Sequence, residues 1–122
     1  PNVAELVARL GPAIPLSEEG DFETATVSAA VYGWVQKLIQ VSADWSTAQG
    51  MPPDTARQLS AGMFSAAGRV VAANDKPMED LLAQLATPGG ITELGLQHLE
   101  QAEVSEAWSG ACDAVQERLT KS

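Results

Sequence analysis

Few side chains in this sequence can carry polar or nucleophilic chemistry. There is one histidine, His98, and one cysteine, Cys112. No CxxC, HExxH, GxSxG or GxxxxGK[ST] pattern occurs, which removes the residues that zinc, serine-hydrolase and P-loop mechanisms need. GxGxxG is absent as well, so these 122 residues hold no dinucleotide-binding fingerprint. His98 lies between Leu94 and Leu99 on an apolar-periodic stretch and reads as a surface or half-buried histidine, not a general base. Cys112 follows Trp108 by one helical turn and reads as a packed small hydrophobe. Glu103, Glu106, Asp113 and Glu117 read as a solvated helix face. The residues therefore point to no catalytic group and no metal ligand, and they leave cofactor contacts unknown.

Thr87-Pro88-Gly89-Gly90-Ile91-Thr92 is the exception. Two glycines that open directly into a helix expose backbone N–H groups at the positive end of a helix dipole, where no Cβ blocks approach. A carboxylate or phosphate is the matching ligand, and the Thr92 hydroxyl in the first turn reaches toward the same place. An ordinary capped turn between two helices uses the same residues, and the sequence leaves both readings open.

The elements that must position this loop are helices. Val31, Trp34, Leu38, Val41 and Trp45 alternate at spacings of three and four, an apolar seam that calls for a partner helix. Gln49-Gly50 ends that helix, and Pro52-Pro53-Asp54 starts the next, which runs to about Ala73 with Ala56, Leu59, Met63, Ala66 and Val70 on one face. A short helix carries Met78, Leu81, Leu82 and Leu85. A fourth carries Ile91, Leu94, Leu96 and Leu99, and a fifth Val104, Trp108, Ala111, Val115 and Leu119. The first 26 residues read differently: a short helix from Val3 to Leu10, a Gly-Pro turn, extended residues 13–16, and an acidic stretch, together a connector. The expected class is all-α, with a long central helix.

Composition narrows the function classes. With 16 acidic against 7 basic residues the net charge is −9, so nucleic acid and anionic membrane surfaces are poor partners. A single cysteine allows no intrachain disulfide, which fits a cytoplasmic protein, and no apolar run approaches the roughly 20 residues that span a bilayer. One domain of this length has no room for both a nucleotide-binding and a substrate domain. The chain opens on Pro1, so residues 1–26 are expected to link a missing N-terminal domain to the helical domain at 27–122.

The order of elements around Leu85-Ala86-Thr87-Pro88-Gly89-Gly90-Ile91-Thr92-Glu93-Leu94-Gly95-Leu96 resembles the C-terminal dimerisation domain of pyrroline-5-carboxylate reductase over about residues 22 to 122. Thr87, Pro88, Gly89, Gly90, Thr92, Gly95 and Leu96 match that family's Ser-Pro-Gly-Gly-Thr-Thr and following Gly-Leu. The resemblance implies an intertwined all-helical homodimer, with each active site between the nucleotide domain of one subunit and the dimerisation domain of its partner. It implies NADPH as hydride donor to the C=N carbon of a cyclic imino acid, giving proline. It also implies that Thr87, Pro88, Gly89, Gly90 and Thr92 hold the substrate, with backbone N–H groups on its carboxylate.

Two departures bear on substrate. Where the family has Ser-Gly-Ser-Gly-Pro-Ala, this chain has Ser28-Ala29-Ala30-Val31-Tyr32-Gly33, and methyl and isopropyl groups crowd space that glycines leave open. Ile91 replaces the first threonine of the loop, and Glu93 an apolar residue. The leading expectation is the dimerisation and substrate-binding domain of an NADP-dependent imino-acid reductase, inactive without its nucleotide domain. The alternative is a stand-alone helical dimerisation or small-ligand-binding module.

Overall fold

The computed structural model describes residues 19–121, with side chains from 22 onward. The short helix at 3–10, the turn after it and the extended segment at 13–16 lie outside the described residues. Five helices follow in order: α1 (Glu19–Ala48), α2 (Pro53–Ala72), α3 (Met78–Leu85), α4 (Ile91–Gln101) and α5 (Val104–Thr120). Among the described residues there is no strand, so the fold class is all-α as the periodicity predicts.

Helix α1 starts eight residues before the boundary expected at residue 27. After Gly20 nothing up to Val27 breaks a helix, and the Thr26 hydroxyl donates to the Phe22 carbonyl at 2.9 Å, a bond internal to the helix. Acidic residues suit a helix start, where the dipole is positive. The other end of α1 falls where the sequence places it. Gly50 takes φ +107°, Met51 N–H donates to the Ser46 carbonyl at 3.1 Å and Gly50 N–H to that of Thr47 at 3.0 Å. This paired closure needs a left-handed residue at Gly50, the reason for glycine there. Pro53, as first residue of α2, costs no hydrogen bond because its N–H would have had no helical acceptor.

The described residues divide into two compact units, 19–38 with 108–121, and 39–107. In the first, Val27 is buried, and the Trp34 and Trp108 rings meet edge to face, centroids 5.4 Å apart at 90°. Such a pair contributes about 0.5–1.5 kcal/mol beyond its buried area. Ala111, Cys112, Val115 and Leu119 are half-buried along the same stripe of α5 that the sequence marks as apolar.

In the second unit, Ala56 is fully buried and Ser60, one turn on, is buried beside it. Along the rest of the apolar face expected on α2, Ala66 is half-buried and Leu59, Met63 and Val70 are exposed. So are Met78, Leu82 and Leu85 of α3, and Ile91, Leu94 and Leu99 of α4. Val27 and Ala56 are the buried apolar side chains among the described residues. Apolar exposure on this scale is more than a soluble monomeric domain ordinarily shows. No helix among the described residues is long and apolar enough to cross a membrane.

Candidate functional site

The loop between α3 and α4 is built by its residue types. Gly90 N–H donates to the Thr87 carbonyl at 2.9 Å, with Pro88 and Gly89 as the two central residues. Gly89 has φ +78°. Proline first and a left-handed glycine second is a type II turn, and an L side chain at Gly89 would be strained there. Gly90 has an ordinary φ of −83° but no room: a Cβ would stand 2.9 Å from Thr87 Oγ1 and 3.1 Å from the Thr87 carbonyl oxygen. The turn thus requires each glycine for a different reason.

Helix α4 opens immediately after it, with Gly90 at the N-cap and no side-chain cap bond. The first-turn amides therefore face outward at the positive end of the dipole. Two donors of the loop itself are already used. Gly90 N–H closes the turn, and Gly89 N–H donates to Glu93 Oε1 at 3.3 Å. Gln97 Nε2 donates to the same oxygen at 3.5 Å.

A depression of about 190 Å³ is lined by Gly89, Gly90, Ile91, Glu93, Leu94 and Gln97. It is smaller than the roughly 300–1,000 Å³ of a small-molecule pocket. Thr87, Pro88 and Thr92 adjoin it without lining it, and all three are exposed. Ile91 is 89% exposed, an apolar side chain at the mouth of a polar loop. Sequence reasoning did not assign Glu93 or Gln97 to the site. The available signal was spacing: a glutamate three residues after an N-cap turns back onto the backbone N–H groups before it.

The departing segment on α1 is continuous helix, with Ala29, Ala30 and Val31 half-buried and Tyr32 exposed. His98 is exposed, and no group of three or more His, Cys, Asp or Glu among the described residues could hold a metal ion.

Comparison with known proteins defines the class first. The family model described as pyrroline-5-carboxylate reductase dimerisation matches residues 19–122. A solved Plasmodium falciparum pyrroline carboxylate reductase with NADP bound superposes with a TM-score of 0.75 at 24% identity, over 83% of this chain and 39% of that one. At that identity the likeness is one of fold. In sequence, pyrroline-5-carboxylate reductase 3 of Xenopus laevis is 32% identical over 92 residues, 75% of this chain and 34% of the relative. A delta-1-pyrroline-5-carboxylate reductase of Gibberella fujikuroi is 26% identical over 113 residues, 91% of this chain and 38% of the relative. The chain belongs to the pyrroline-5-carboxylate reductase dimerisation family. It spans about a third of the length of the curated relatives it matches.

Proposed function

We propose that this chain is the homodimerisation and substrate-binding domain of a cytoplasmic, NADP-dependent imino-acid reductase acting in proline formation or on a related imine. The observation that carries the reading is the family match over residues 19–122 together with the signature loop at the start of α4. The exposed apolar faces of α1 to α4 support association with a second copy, the one partner certain to carry matching surfaces. The acidic balance argues against nucleic acid or a membrane surface as partner.

NADP(H), as in the Plasmodium relative, would supply the hydride. With no GxGxxG among these 122 residues, its binding belongs to residues outside them. Within this chain the task is substrate orientation. The amides of α4's first turn receive a carboxylate, Thr92 presents its hydroxyl in the same turn, and Thr87, Pro88, Gly89 and Gly90 set the backbone that aims them.

The test is a titration of L-proline into the ¹⁵N-labelled chain. Amide shifts at residues 88–92 are expected. Gly90→Val should abolish them, because its side chain would meet Thr87 at both the hydroxyl and the carbonyl, while leaving the oligomeric state unchanged. Shifts confined to other regions, or retained in full by Gly90→Val, contradict the assignment.

A further inference from the structure

We draw no further inference here: the strongest candidate, the exposed apolar patch of Met78, Leu82 and Leu85 on α3 and Ile91, Leu94 and Leu99 on α4, carries nothing beyond the self-association already proposed, because nothing in the structure shows what covers it.

Discussion

Trp45→Asp is expected to weaken self-association by about a thousandfold or more. Trp45 is 66% exposed on α1, in the same seam as Val41, which is 52% exposed, and Leu38, which is 39% exposed. A tryptophan carries roughly 150–250 Å² of surface, so covering two-thirds of it at about 25 cal/mol per Å² contributes about 2.5–4 kcal/mol. In a two-fold symmetric dimer the loss occurs twice, about 5–8 kcal/mol in all, which is more than three powers of ten in dissociation constant. Sedimentation equilibrium across a concentration series reads the change. The control is Lys37→Asp, an exposed charge reversal outside the seam, which should change association by less than about fivefold. Equal effects of the two substitutions would mean that the seam is not the interface.

The second large effect lies on α1, in the full-length reductase that we propose contains this chain. Ala29, Ala30 and Val31 stand where the family it resembles has Gly-Ser-Gly, and their side chains fill space at half-buried positions. Hydride transfer needs the reacting carbons within about 3.5 Å, and a displacement of about 1 Å costs on the order of a hundredfold. Turnover of pyrroline-5-carboxylate should therefore be poor, about a hundredfold below what the triple variant Ala29→Gly, Ala30→Ser, Val31→Gly supports. Tyr32 is left in place because α1 runs unbroken from Glu19 to Ala48, and the family's proline at that position would remove a helical hydrogen bond. The glycines cost helix propensity of about 1 kcal/mol each, so the comparison is made below the melting transition of the variant. Steady-state kinetics with a larger cyclic imine provide the second arm, which should favour the native sequence. Native turnover of pyrroline-5-carboxylate equal to that of the triple variant would show that these residues do not set substrate choice.

Local signals in the sequence translate well into local structure here, and signals that depend on a partner translate less well. The ends of α2, α3 and α4 lie where Pro53, Pro77 and the Gly89-Gly90 pair put them, because each of these residues acts on its own backbone. Residues 19–26 are helical although their apolar pattern is weak, since acids suit the positive end of a helix dipole. The α2 residues that share one face differ in burial: Ala56 is buried while Leu59, Met63 and Val70 are open. Periodicity identifies which residues share a face, not which chain covers it.

The loop was legible as a turn and as a helix start. Its internal anion carries one signal in the sequence, the spacing of Glu93 three residues after Gly90, and the partner it takes, Gly89 N–H, follows from the turn that gives Gly89 a φ of +78°. The family resemblance rested on seven matching positions around that loop, and the match over residues 19–122 bears it out.

We propose that this chain completes its core with a second copy of itself. Sedimentation velocity and equilibrium of the purified chain at low micromolar concentration test it most directly. The account predicts one species of twice the 12.8 kDa chain mass, losing helical circular dichroism and dimer mass together in a concentration-dependent transition on dilution or in urea. A well-folded 12.8 kDa monomer, unfolding cooperatively at a midpoint independent of concentration, would contradict it.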